Sequence, residues 1–434
     1  MHRIFFLGAL GALLLSQHAF AQKEQLSKSI DLRADDSWKL ASEIWKWSEP
    51  GYQEAKSAQA ITVSLEKAGF KVEKGVAKIP TALMATYGSG KPIIGILGEY
   101  DALPELNQDA VPFRQSREGS NGNGHACGHH LFGVASSSAA IAIAEQIKAG
   151  TIKGTVRFYG CPAEEGGAAK VFMARDGLFN DLDICLHWHP SSRNSAGDQN
   201  CQARIAVKFR FRGIASHAAG SPEKGRSALD ALLLTMHAVE LLREHTPDGT
   251  RLHHTVTSGG GAANVVPEFA EGFFYVRHPK AETVRELYPR LLKCAQAGAL
   301  ATETKLEVAY LGGTMELLPN SALAQVAMKN LKALNDLKYD DEEMKFAIRI
   351  RESFADKPPP FEDLQKVFDA STGKGMGSTD VGDISWIVPT GGFTTACWAP
   401  GTSAHSWQAV ACGGTTIGKK GNGKRYKMMC DFST

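Results

Sequence analysis

Net charge is what this sequence has least of. Lysine and arginine total 48 against 46 aspartates and glutamates, a formal +2 over 434 residues. A chain so evenly balanced, with no basic block interleaved with aromatics before its last few residues, is a poor match for nucleic acid. Beyond the N-terminal segment no apolar stretch is long enough to span a bilayer. Cysteines number 8 and are scattered rather than grouped as a disulfide framework. Several sit in apolar strand-like runs, where a free thiol behaves as a small hydrophobe. Neither internal repeats nor low-complexity tracts stand out. What is present is globular, 43% hydrophobic and 22% charged, in a chain long enough for two domains.

The N-terminus differs in kind. MHRIFFLGALGALLLSQHAFAQ places Arg3 before an apolar run from Ile4 to Leu15, followed by Ala19 and Ala21. That is the pattern of a secretory signal peptide over residues 1–21, cut before Gln22, and its run is too short for a transmembrane helix. The expected location is therefore outside the cytoplasm, periplasmic or secreted.

Periodicity then gives the organisation. Ser37 to Leu65 reads as one helix around Trp45, Ile61 and Leu65. ALMATYG, PIIGILGEY, TVRFYGCPAEE and LDICLHWHP read as strands, and the small-residue segment LFGVASSSAAIAIAEQIKAG as a fully buried helix. This alternation predicts an α/β layer with a mainly parallel sheet. From about Cys201 to Gly313 the order becomes βαββαβ, the ferredoxin-like arrangement, expected as an inserted domain. The expected division is thus 22–200 and 314–434 for a catalytic domain and 201–313 for the insertion.

Four short motifs carry chemistry. GNGHACGHH sets Cys127 and His129 two apart between glycines, a thiolate–imidazole pairing that zinc and its neighbours accept. A Gly-rich turn with incidental cysteine, or a cysteine nucleophile paired with histidine, are its rivals. PAEEGG places Glu164 and Glu165 at the end of an apolar strand. Adjacent acids are ordinarily a solvated pair, but this context directs them into a cleft, where one binds metal and the other takes a proton from the attacking water. In LHWHP, His187 and His189 face the same side of a strand, so alternation does not choose between them. His405 in GTSAHSW is a lone loop histidine, a type more often structural than ligating, that gains meaning only from the others. The strand ends at GEYDA, PAEEGG and LHWHP all fall where open α/β sheets bind ligands.

With these motifs the chain resembles the aminoacylase and carboxypeptidase superfamily of di-metal peptidases. Within it, the branch of p-aminobenzoyl-glutamate hydrolases and indole-acetyl-amino-acid hydrolases fits best. GEYDALPELNQ, GNGHACGHHLFG, PAEEGGAAK, LHWHP, GIASHAAGSPEKGRSALDA, ANVVPEFAE, GSTDVGDISW and GTSAHSWQ occur in family order from about Gly98 to Gln408. The resemblance implies two divalent ions, Zn²⁺ or Mn²⁺, bridged by Cys127, with His129 and His189 completing one site and Glu165 and His405 the other. It implies Glu164 as general base and Asp101 as the residue holding a ligand histidine in its working tautomer. It further implies that His217 reaches the partner subunit's active site and polarises the scissile carbonyl, that Asn264 and Arg277 hold the substrate carboxylate, and that the inserted domain is a dimerisation lid of a homodimer. The implied reaction is hydrolysis of the amide joining an acyl, aroyl or aminoacyl group to an amino acid. A dipeptidase or carboxypeptidase, and a catalytically impaired ligand-binding relative, are the alternatives. Two departures stand out. His130 occupies a position where the family usually shows Asp or Asn, and the polar, basic NGKRYKMMCDFST stands where a long apolar helix is implied, a change expected to expose apolar surface.

Overall fold

A computed structural model describes residues 28–197, 200–371, 375 and 377–421. The expected signal segment 1–21 and the tail 422–434 lie outside the described residues. The chain divides into two compact units. The second comprises Asn200–Leu318 and Lys374–Asp383, and the first holds the remaining described residues. The second unit therefore runs past residue 313 and takes in a return segment that the sequence placed elsewhere.

In the first unit the expected helix from Ser37 to Leu65 is in fact two, α1 over 28–47 and α2 over Ala55–Lys67. Ser48 and Tyr52 have φ of 45° and 64°, and Pro50 lies between them. Proline disfavours a helical residue before it and cannot donate to a preceding carbonyl, so the apolar period continues while the backbone breaks. Next come β1 (Lys71–Lys74), β2 (Leu83–Ser89), β3 (Ile93–Glu99), α3 (His129–Lys148), β4 (Gly154–Cys161) and α4 (Ala169–Arg175). LDICLHWHP is also two pieces, β5 (Ile184–Leu186) and β6 (His189–Ser191), followed by β7 (Asn194–Ala196).

In the second unit β8 (Ala203–Arg212), α5 (Ala228–Arg243), β9 (Arg251–Ser258), β10 (Phe269–His278), α6 (Ala281–Ala301) and β11 (Lys305–Thr314) follow the expected βαββαβ order. Their antiparallel sheet is ordered β11-β8-β10-β9. Alternate residues such as Val207, Phe209, Phe274 and Val276 are buried in one cluster with Leu232 of α5 and Leu291 of α6. The first unit resumes with α7 (Ser321–Leu334), α8 (Asp341–Arg351), β12 (Val367–Asp369), β13 (Thr390–Gly391), β14 (Phe393–Ala396) and α9 (Trp407–Gly413).

The large sheet of the first unit is ordered β1-β2-β4-β3-β5-β13. β4, β3, β5 and β13 are mutually parallel, with β2 antiparallel to β4 and β1 antiparallel to β2 at one edge. α3 crosses between β3 and β4 and is buried along nearly its whole length, as a run of alanine, serine and isoleucine allows. A Cβ on Gly133 would stand 2.6 Å from the Glu99 carbonyl oxygen, so helix and strand approach as closely as they do only because that side chain is missing. The seven cysteines among the described residues are all free. No described helix is long and apolar enough to cross a membrane.

Candidate metal centre

Three parallel strands end at one edge of the large sheet. β3 leads through Glu99 to Asp101, β4 through Cys161 to Glu164 and Glu165, and β5 through Leu186 to the LHWHP histidines. The helix α3 starts there too, with Cys127 in the turn before it and His129 as its first residue. Gly128 between them has φ of 76°, and a Cβ on it would lie 2.7 Å from Pro190. Glycine is needed there for both conformation and space. His405 is delivered by a loop, with φ of 57° and its N–H bonded to the Ala126 carbonyl at 2.9 Å.

The side chains converge as two donor sets that share one residue. Cys127, His129 and His189 form the first, and Cys127, Glu165 and His405 the second, with the donor atoms of each set within 4.8 Å of one another. Cys127 Sγ lies 3.3 Å from His189 Nε2, and His405 Nε2 lies 3.3 Å from Glu165 Oε2. Asp101 links the halves. One of its oxygens accepts from His129 Nδ1 at 2.8 Å and the other from the Glu165 N–H at 3.0 Å. His189 Nδ1 donates to the Pro190 carbonyl at 2.7 Å. Each of these two imidazoles thereby presents Nε2 to the cluster.

The break inside LHWHP separates the two histidines that alternation could not. His187 continues the large sheet, its N–H bonded to Gly391 at 3.0 Å and its ring against Gly392. His189 begins β6, which belongs to a separate sheet of the first unit ordered β12-β7-β14-β6, and its Nε2 lies beside Cys127. His130, the departure from the family pattern, is buried, with Nε2 3.1 Å from the Gly413 carbonyl at the end of α9, away from either donor set.

Two residues that sequence reasoning passed over belong to this centre. Glu99 and Lys170 form a fully buried ion pair at 2.7 Å, and the other Glu99 oxygen lies 3.0 Å from His129 Nε2. Glu99, His129 and Glu164 make a third possible donor group. The available signal was an acid closing an otherwise apolar strand, IIGILGE. Glu54 is the third omission. It is completely buried and accepts the Ala163 N–H at 2.8 Å, where Ala163 adopts φ of 53° just before the glutamate pair.

Electrostatics mark the centre as built for a cation. Burial, with Glu165 beside it, pushes the Cys127 thiol well above its ordinary value, so a thiolate there needs a positive neighbour. Burial opposes charge on His129, but Cys127, Asp101 and Glu99 outweigh it and hold its pKa well up. His189, with burial dominant, is pushed down to about 4, which leaves a neutral imidazole able to offer Nε2 to a cation. Burial would raise Glu165, yet His405 and His129 keep it low. His129 Nε2, Glu99 Oε2 and Glu165 Oε1 are buried and make no hydrogen bond among the described residues. The 3.0 Å approach of the first two is an ion-pair distance without hydrogen-bond geometry. Thiolate, imidazole and carboxylate donors with uncommitted buried atoms fit a pair of divalent ions, with the histidine-rich half suited to zinc and the carboxylate half to zinc or manganese.

The remaining expected site residues, His217, Asn264 and Arg277, lie in the second unit. His217, an exposed residue, accepts the N–H groups of Ala219 and Gly220 on Nδ1 at 3.2 and 3.0 Å, which leaves Nε2 as the ring nitrogen that carries a proton. Asn264 is its neighbour through the bond from the Ala218 N–H to the Asn264 carbonyl at 2.9 Å. Arg277 sits on β10, half-buried.

Fold and site together define a hydrolase of α/β architecture whose donors suit a dinuclear metal centre. The chain belongs to the peptidase family M20/M25/M40, whose model matches residues 95–408. It is similar to a p-aminobenzoyl-glutamate hydrolase chain of Escherichia coli (strain K12), at 38% identity over 408 residues, covering 88% of this chain and 85% of that protein. It is also similar to the Xaa-Arg dipeptidase of Homo sapiens, at 27% identity over 392 residues, 85% of this chain and 78% of the relative. A dinuclear metal-binding peptidase of the M20 family from Bacillus subtilis shares the fold with a TM-score of 0.58 and 16% identity, over 92% of this chain and 99% of that one. The chain is an amidohydrolase of this family.

Proposed function

We propose that the chain hydrolyses the amide bond of N-acyl or N-aroyl amino acids. The observation that carries this reading is the pair of donor sets sharing Cys127, with Glu164 beside them at the strand ends. When bound, a metal pair held by Cys127, His129, His189, Glu165 and His405 supplies Lewis-acid polarisation of the carbonyl and eases deprotonation of water. Glu164 takes the proton from the attacking water and passes it to the leaving amine nitrogen. Asp101 keeps Nδ1 of His129 protonated and its ring fixed. In the homodimer proposed below, His217 serves the developing oxyanion in the partner subunit's active site, and Asn264 and Arg277 help to hold the substrate carboxylate.

Replacing Glu164 by glutamine is expected to lower kcat by about 10²- to 10⁴-fold with metal content unchanged. Chelation should abolish turnover, and Zn²⁺ or Mn²⁺ should restore it. Activity that survives chelator and dies on alkylation of Cys127 would point instead to a cysteine hydrolase. A dipeptidase reading draws on the similarity to the Xaa-Arg dipeptidase, and a panel of dipeptides run beside N-acyl amino acids decides between them.

We further propose that the protein is exported and dimeric. The N-terminal pattern makes the protein exported, and mass spectrometry of the purified product should give Gln22 as its first residue. The second unit makes it a homodimer. Leu233, Leu234 and Leu241 of α5 and Val256 of the edge strand β9 are exposed apolar residues that a second copy would cover. Light scattering should report twice the chain mass, and a monomer would sink this part.

A further inference from the structure

The turn that carries Glu164 and Glu165 is held from outside. Ala163 and Ala168, at its two ends, have left-handed backbones with φ of 53° and 52°. The Gly167 and Ala168 N–H groups close the turn on the Ala163 carbonyl at 2.9 and 2.8 Å. Alanine rarely adopts that conformation, and two such residues persist only where the surroundings over-determine them. Three anchors come from other parts of the first unit. Glu54 accepts the Ala163 N–H at 2.8 Å, Asp101 accepts the Glu165 N–H at 3.0 Å, and the Tyr52 hydroxyl donates to the Gly167 carbonyl at 2.7 Å.

The fourth anchor is an ion pair. Lys170 stands two residues beyond the turn, at the start of α4, and among the described residues it is the one lysine or arginine that is fully buried. Its Nζ lies 2.7 Å from Glu99 Oε1, and the other Glu99 oxygen lies 3.0 Å from His129 Nε2. One carboxylate at the end of β3 therefore meets the exit of the general-base turn with one oxygen and a metal-facing nitrogen with the other. Stability does not explain such a pair, because well-packed apolar residues in its place are often neutral or stabilising. What apolar packing does not supply is direction, whereas this pair ties one atom of α4 to one atom of β3.

A general base has to stand within hydrogen-bond reach of the water it deprotonates. A displacement of about 1 Å costs on the order of 10²-fold in rate. We propose that Lys170 and Glu99 are positioning residues that register the Glu164 turn against the His129 half of the metal centre. This rests on the reading of Glu164 as general base and adds the residues that set where it stands.

The test uses the full, metal-loaded chain carrying E99Q and K170M together. K170M alone leaves a buried carboxylate without its cation and is expected to fold poorly, whereas the double variant removes both charges. The double variant should keep its metal content and a Tm within about 4 °C of the wild type. With p-aminobenzoyl-glutamate as substrate, kcat should fall by about 10- to 100-fold while KM moves by less than about threefold. Deuterium exchange read by mass spectrometry should show residues 163–168 exchanging about tenfold faster, with β4 unchanged. Recovery of Tm and kcat together in the double variant overturns the proposal, because the pair would then be structural only. Failure of the double variant to fold or to hold metal overturns it as well. So does a loss of kcat with exchange in the turn unchanged, which would leave the pair a purely electrostatic effect. Faster exchange in the turn supports the registration even where the substrate is not hydrolysed by either protein, an outcome that would defeat the hydrolytic reading alone.

Discussion

His129 and His405 bring the same imidazole to the same thiolate, yet His129 is completely enclosed and His405 is 55% exposed. The difference runs through their supports. His129 opens a buried helix, is gripped at Nδ1 by Asp101 and faces Glu99, whose charge Lys170 balances. His405 rides on a loop in a left-handed conformation, tied to the rest by its own N–H. An enclosed ligand set excludes competing water and loses little freedom on binding, whereas an exposed one is screened and must be ordered. The two halves of the cluster should therefore hold their ions with unequal strength, the His129 half tightly and the His405 half exchangeably.

Removing the shared residue erases the contrast and gives the largest effect. Cys127→Ala takes a donor from both sets, so elemental analysis should find neither ion retained, and kcat/KM should fall by at least about 10⁴-fold. Retention of one ion would show that the halves are independent of the thiolate. A sharper test removes one histidine at a time. H405A is expected to keep about one ion per chain, and H129A to lose the tighter one, with stepwise chelator titration resolving two affinities in the wild type. A single transition, with both variants equally depleted, would end the asymmetry.

How much of this could be read from the sequence follows the same division between local pattern and distant contact. The βαββαβ unit was legible because alternation in ARIAVKFRFRG and EGFFYVRHP and the long helical periods persist through their elements. Cys127, His129 and the glutamate pair were legible because glycines and strand ends flank them. The helix break at Pro50 was not, because the apolar spacing of Trp45, Ile61 and Leu65 continues across it. The choice between His187 and His189 depended on a chain that changes sheets at Trp188, which alternation cannot express. Glu99 and Lys170 were hidden because a lone acid or lysine reads as surface until its partner, distant in sequence, is seen buried with it.

Asp101 is where the halves meet, and its substitution should weaken both by a smaller amount. Asp101→Asn keeps the shape but removes the negative acceptor for His129 Nδ1, and its amide hydrogens confront either that ring or the Glu165 N–H. Metal affinity should drop by about 10- to 100-fold. The loss should be larger in the His129 half, where the carboxylate fixes the ring itself. Titration with a competing chelator reads both affinities. An equal loss in the two halves would assign Asp101 to the loop rather than to the histidine.

The smallest effect concerns the turn on which Glu164 and Glu165 stand. Ala163 is held in a left-handed conformation by the Glu54 carboxyl, and Tyr52 donates to the Gly167 carbonyl at 2.7 Å on the far side of the same loop. Burial, and next the Asp101 charge, raises the Glu54 pKa to about 7 from an ordinary 4.5. Because the folded value lies above the unfolded one, folding favours the protonated acid. Its contribution is full below about pH 4.5 and is lost as pH rises through about 7, a span worth at most about 3 kcal/mol at ~1.4 kcal/mol per pH unit. Glu54→Gln removes the titration and keeps an oxygen to accept the Ala163 N–H. Its Tm should match the wild type near about pH 5 and exceed it near about pH 8, with a difference that grows steadily between. A Tm difference that stays constant with pH would mean that Glu54 remains ionised in the folded protein, and that the brace beneath the general base is a charged one.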